Sequence, residues 1–128
     1  MKRTVLCIED DELNRRLVAR VLRSRSDVSV LAAASGEVGV RIARERLPNL
    51  ILLDRRLPDR CGVDVLRELK STAKTARIPV VVLSGDSDRK AVTEVLELGA
   101  EQFISKPYDM DELLRVVDRF CGPTEPGV

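Results

Sequence analysis

Pro48-Asn49-Leu50-Ile51-Leu52-Leu53-Asp54-Arg55-Arg56-Leu57-Pro58-Asp59-Arg60-Cys61-Gly62 is the stretch that decides the fold. Its first part is a short apolar run bounded by turn formers, the pattern of a strand buried on both faces of a parallel sheet. The run ends on a carboxylate, Asp54, and the loop that follows carries Pro58 and Gly62. In open α/β sheets ligands bind at that carboxyl-terminal edge. Asp54 is therefore the first candidate for a working residue.

Toward the N-terminus, Thr4 to Ile8 reads as a strand that runs into Glu9-Asp10-Asp11. From about Glu12 to Ser24, Leu13, Leu17, Val18, Val21 and Leu22 recur at helical spacing, with Arg16, Arg20 and Arg23 on the outer face. Val28 to Ala33 is a second strand. Ser35 is placed to cap a second helix with an apolar stripe of Val38, Ile42, Ala43 and Leu47, which Pro48 stops. Toward the C-terminus, a helix from Gly62 to about Ser71 turns Val65, Leu66 and Leu69 inward, and Lys70 to Arg77 is expected to be a loop. Ile78 to Leu83 is a fourth strand, ending on Ser84-Gly85. Ser87 can cap a fourth helix with Ala91, Val92, Val95 and Leu96 inward and Gly99 as its stop. A short strand, Gln102 to Ser105, ends at Lys106-Pro107, and a last helix runs from near Met110 to about Cys121. One domain over residues 1–121 is expected, with 122–128, rich in Pro and Gly, as a tail or the start of a linker.

Five strands alternating with five helices imply a parallel sheet covered on both faces, an α/β fold. Right-handed crossovers limit how such a chain can be wound, and the expected solution is the order 2-1-3-4-5, which puts the ends of strands one and three side by side. Glu9 and Asp10 then neighbour Asp54, and Ser84 and Lys106 line the same edge.

Composition removes several classes of function. A net charge of +1 over 128 residues lacks the basic excess of a non-specific nucleic-acid binder. No apolar stretch is long enough to span a bilayer and the N-terminus has no signal-peptide core, so a cytoplasmic location is expected. There is no histidine, which excludes Ser-His and Cys-His catalysis. Cys7, Cys61 and Cys121 are far apart and read as buried or incidental thiols rather than a zinc site or a disulfide framework.

Carboxylates crowded at one edge repel each other and need a cation or a proton to coexist. Hard oxygen ligands with room for water suit Mg²⁺ better than zinc or a full Ca²⁺ cage. An aspartate beside such a site can attack phosphorus and become an acyl phosphate. Lys106 can pair with Asp54 before that step and with a phosphoryl oxygen after it, and Ser84 can donate a hydrogen bond to the same group.

Four motifs sit in order at strand ends: Ile8-Glu9-Asp10-Asp11, Leu53-Asp54-x-x-Leu57-Pro58-x-x-x-Gly62, Val82-Leu83-Ser84-Gly85 and Phe103-x-x-Lys106-Pro107. Together they resemble the response-regulator receiver domains of bacterial two-component signalling, from about Arg3 through Cys121. The resemblance implies a three-layer flavodoxin-like (βα)5 fold. It implies that Asp54 is the phosphoacceptor, that Glu9 and Asp10 are the acidic metal pair, and that the Arg56 backbone carbonyl is a further ligand to Mg²⁺. It makes Ser84 the hydroxyl that detects the phosphoryl group, Phe103 the aromatic that reports it, and Lys106 the active-site lysine, joined to Pro107 by a cis bond. The implied function is a phosphorylation-activated signalling switch rather than an enzyme, loaded by a histidine kinase or histidine phosphotransfer protein. Phosphorylation would change the face made by the fourth helix, fifth strand and fifth helix, which acts on a downstream protein target, with a phosphorylation-dependent homodimer left open. No direct nucleic-acid or membrane partner is implied. The Arg55-Arg56 pair departs from the family pattern, which more often has an apolar or small polar residue at the second position. The competing reading is therefore a receiver-like scaffold that is never phosphorylated. An aspartyl phosphatase would want a second aspartate where Arg56 stands, and a flavin protein a hydroxyl-rich loop where Glu9-Asp10-Asp11 stands.

Overall fold

The computed structural model describes residues 3–25, 27–85 and 88–122. Along the chain these form β1 (Arg3–Ile8), α1 (Glu12–Leu22), β2 (Val28–Ala33), α2 (Gly36–Arg46), β3 (Leu50–Asp54), α3 (Gly62–Ser71), α4 (Ala73–Ala76), β4 (Val80–Ser84), α5 (Arg89–Glu97), β5 (Gln102–Ser105) and α6 (Met110–Cys121). The sheet is parallel throughout, in the expected order β2-β1-β3-β4-β5.

Alternation along each strand feeds two cores. Leu6, Ile8, Ile51, Leu53, Val80 and Val82 pack with residues of α2, α3 and α5 on one face. Val5, Cys7, Leu50, Leu52, Val81, Leu83 and Ile104 pack with α1 and α6 on the other. All five residues of β3 are buried, which is why its apolar run shows no polar alternation. The register sets Cys7 beside Leu52 and Ile8 beside Leu53, so both strands deliver their terminal carboxylates to one edge.

The helices differ from expectation in four places. In α1, Val18, Val21 and Leu22 are buried, whereas Leu13 is 74% and Leu17 43% exposed. A helix lying on a sheet buries only one stripe, and these leucines fall outside it. Leu47 is not in the α2 stripe: it is the left-handed C-cap, φ 45°, and is largely exposed. Leu96 lies on the outer side of α5, where Ala91 and Val95 alone are fully buried. The expected loop at Lys70 to Arg77 instead finishes α3 and contains α4. Thr75 anchors it, fully buried, with its hydroxyl donating to the Leu69 carbonyl at 2.6 Å, and Lys70 Nζ donates to the Ala76 and Ile78 carbonyls at 3.1 and 2.8 Å. Side-chain bonds to the backbone organise this polar segment, and hydrophobic periodicity does not register them.

Helix ends follow local chemistry. Asp11, Ser35 and Asp109 cap α1, α2 and α6. Ser87 lies outside the described residues, and Asp88 caps α5 by accepting the Ala91 N–H at 2.8 Å. Gly99, φ 107°, ends that helix as expected. The buried Arg25 joins the α1–β2 turn to the end of α6: it pairs with Asp27 and Asp118 and donates to the Gly122 carbonyl at 2.7 Å. Residues 123–128, most of the expected tail, lie outside the described residues. No helix among the described residues is long and apolar enough to cross a membrane.

Candidate functional site

The carboxyl edges of β1, β3, β4 and β5 surround a cavity of about 710 Å³. Glu9, Asp10, Asp54, Arg56, Ser84 and Lys106 all line it, as the topology required. Phe103 does not. It packs half-buried against the α2/α3/α5 core, with Val82 beside it in register and Ser84 two pairs further along. Successive residues alternate faces, so Ser84 and Phe103 share one side of the sheet.

Asp54 is held at the mouth of β3 and is 5% exposed. Its Oδ1 accepts the Arg56 N–H at 3.2 Å, and its Oδ2 accepts from Lys106 Nζ at 3.2 Å. Lys106 reaches there because its own N–H donates to the Ser84 carbonyl at 2.8 Å, extending the β4–β5 ladder by one residue before the cis bond to Pro107. The same ammonium lies 3.2 Å from Glu9 Oε2. Glu9, 2% exposed, also accepts at Oε1 from the Asp11 N–H at 3.2 Å and Asn14 Nδ2 at 3.4 Å. Asp10, by contrast, is exposed to solvent.

Burial and the neighbouring Asp54 carboxyl, by hydrogen bond and repulsion, push the Glu9 carboxyl above its usual range. At Lys106 desolvation pulls the other way, but Asp54 and Glu9 outweigh it and hold the ammonium above the usual lysine value. The lysine is thus a permanent cation between two carboxyls. Burial pushes the neighbouring Cys7 thiol up to about 12, which makes it inert packing.

Oxygen atoms of Glu9, Asp10 and Asp54 lie within 4.8 Å of one another. An all-oxygen donor set open to solvent fits a hard divalent cation that keeps part of its water shell, as Mg²⁺ does. Lys106 neutralises only part of the cluster, which leaves charge for a cation to balance.

Sequence reasoning missed three contributors. Asn14 and Arg15 reach back from the first turns of α1, Arg15 Nη1 donating to the Glu9 and Asp10 carbonyls at 2.7 and 2.8 Å. Helical side chains lean toward the N-terminus, so polar residues just after an acidic strand end are positioned to return to it. Asp59, in the loop after Asp54, accepts the Gly36 and Glu37 N–H groups at 2.8 and 2.9 Å, adding a second cap to α2. No local pattern signals that bond.

A family model described as response regulator receiver domain matches residues 5–118. The chain is 41% identical over 118 residues to the protein-glutamate methylesterase/protein-glutamine glutaminase 1 of Myxococcus xanthus, covering 88% of this chain and 33% of that one. It is 30% identical over 122 residues to the polar-differentiation response regulator DivK of Brucella ovis, covering 95% of this chain and 98% of that one. It spans less than half the length of the larger curated relatives it matches, between 8% and 48%. Among solved structures, the receiver domain of sensor histidine kinase PA1611 from Pseudomonas aeruginosa superposes with a TM-score of 0.85 at 28% identity, over 96% of this chain and 100% of that one. That structure has a magnesium ion coordinated in its active site cleft.

Proposed function

This chain belongs to the response regulator receiver domain family, and from that premise we propose that it is a phosphorylation switch whose phosphoacceptor is Asp54. The observation that carries the reading is the ammonium of Lys106 set 3.2 Å from both Asp54 Oδ2 and Glu9 Oε2 in an acidic, solvent-open cavity. A carboxylate held this way is desolvated, oriented and ready to act as a nucleophile.

An Asp54 carboxylate oxygen forms a bond to phosphorus as the phosphorus–nitrogen bond of a phosphohistidine donor breaks. The bonding pair leaves with the imidazole nitrogen, which the donor or solvent protonates. Lys106 passes from the carboxylate to a phosphoryl oxygen, and the Ser84 hydroxyl donates to another. Glu9, Asp10, Asp54 and the Arg56 carbonyl would hold Mg²⁺, which neutralises charge on the transferring group when bound. With Ser84 drawn toward the phosphoryl group, Phe103 follows on the same face, and the surface of α5, β5 and α6 shifts between two packings.

The donor in this reading is a histidine kinase or histidine phosphotransfer protein in a bacterial cytoplasm, and the readout is a downstream protein bound by the shifted face. The chain is not an enzyme in the ordinary sense. Its only turnover is slow hydrolysis of its own acyl phosphate.

Incubation with radiolabelled acetyl phosphate and Mg²⁺ should label the wild-type chain and leave Asp54→Asn unlabelled. Label that persists in Asp54→Asn moves the acceptor elsewhere. A wild-type chain that takes no label from this donor or from a panel of phosphorylated histidine proteins supports the scaffold reading instead.

A further inference from the structure

Arg15 takes no part in the chemistry proposed above, yet it makes two short charge-assisted hydrogen bonds beside the site. One guanidinium nitrogen, Nη1, donates to the carbonyls of both Glu9 and Asp10, at 2.7 and 2.8 Å. Bonds of this kind are roughly twice as strong as neutral ones. They fall where β1 has just left the sheet: the Glu9 N–H still donates to the Ala33 carbonyl at 2.9 Å, and β1 itself ends at Ile8. The two residues that carry the carboxylates therefore lie between the last rung of the ladder and the first turn of α1.

The helix does not need Arg15 in order to start. Asp11 caps it, accepting the Leu13 and Asn14 N–H groups at 2.8 and 3.4 Å, and the Arg15 N–H closes the first turn on the Asp11 carbonyl at 3.0 Å. What the guanidinium adds is a bridge between two successive peptide oxygens. Such a bridge restrains the torsions between them, and those torsions set where the buried Glu9 carboxyl and the exposed Asp10 carboxyl stand relative to each other. It also brings a positive charge onto the backbone that carries two of the three carboxylates, whose oxygens lie within 4.8 Å of one another and repel.

We propose that Arg15 is a positioning residue for the cation site: by tying the Glu9 and Asp10 carbonyls together it holds both carboxylates at the spacing a divalent cation requires. This rests on the reading of the acidic cavity as a Mg²⁺ site. It assigns to α1 a structural task in metal binding alongside its solvent-facing arginines. Groups that orient metal ligands from behind commonly change affinity by about tenfold or more when removed.

The test is calorimetric titration of the full chain with Mg²⁺, for wild type, Arg15→Met, Arg15→Lys and Asp10→Asn, alongside the Tm of each in chelator. Arg15→Met is expected to weaken Mg²⁺ binding by about tenfold or more. Arg15→Lys keeps the charge but has a shorter single ammonium in place of the guanidinium, so it should also bind Mg²⁺ more weakly while its Tm in chelator stays near that of wild type. Wild-type affinity in either folded variant overturns the proposal, and if Arg15→Met does not fold then Arg15→Lys decides it alone. Asp10→Asn should lose binding. A wild-type chain that binds no Mg²⁺, or an Asp10→Asn chain that binds it unchanged, removes the cation-site reading and this inference with it.

Discussion

Lys106 is the residue on which the local electrostatics turn, because one ammonium serves two buried carboxyls. Glu9 records the imbalance: burial and Asp54 raise its pKa above the ordinary 4.5. A carboxyl raised in the folded protein binds more protons there than in the unfolded chain. Its contribution to stability is complete below the ordinary value and is lost as the pH rises through the elevated one. Thermal melts in chelator should therefore show a component of stability that declines from acidic toward neutral pH, and Glu9→Gln should flatten it. A slope unchanged by the substitution would assign the titration to other groups. Asp54, Glu9 and Lys106 were legible in the sequence because each stands at the end of a readable strand. Asn14 and Arg15 were not, since their partners are carbonyls and a carboxylate met only after the chain turns back from strand to helix.

Among the elements, the β3–α3 connection depends most on close backbone contact. A Cβ at Gly62 would stand 2.6 Å from the Asp54 carbonyl and 2.7 Å from Arg55 Cα, both rigid backbone. Gly62→Ala must therefore displace Asp54, the proposed nucleophile, or Arg55 beside it. Overpacking of this kind costs about 1–3 kcal/mol, and a misplaced nucleophile can lose roughly a hundredfold in rate. Urea melts together with acetyl phosphate labelling would read both, and labelling at the wild-type rate would show that the loop absorbs the methyl. The same connection reaches its neighbours through side chains: Asp59 caps α2, and Arg55 pairs with Glu94 of α5 at 3.5 Å. Element type was readable from the sequence almost everywhere. The departures have separate causes: α4 is held by the Thr75 and Lys70 bonds to backbone carbonyls, whereas Leu47 and Leu96 sit just off the stripes to which their spacing assigned them.

For the whole molecule, the sheet is the scaffold that makes the site possible, and its centre should be the least tolerant part. Leu52 is fully buried between Cys7 and Val81. Leu52→Ala should cost about 2–5 kcal/mol of a total that for domains of this size is about 5–15 kcal/mol. Leu13→Ala, at a position 74% exposed, should stay within about 0.5 kcal/mol. Denaturant titration of the two variants distinguishes core from surface leucines that look alike in the sequence. The sequence by itself determined the strands, their parallel pairing and the edge where the carboxylates gather, because apolar runs, turn residues and the handedness of crossovers act locally or through topology. Only the tertiary structure decided which leucines face solvent, that Asp59 caps a distant helix, and that Arg15 ties the Glu9 and Asp10 carbonyls together. Those contacts depend on distances between segments that meet only once the sheet has assembled, and no spacing along the chain encodes them.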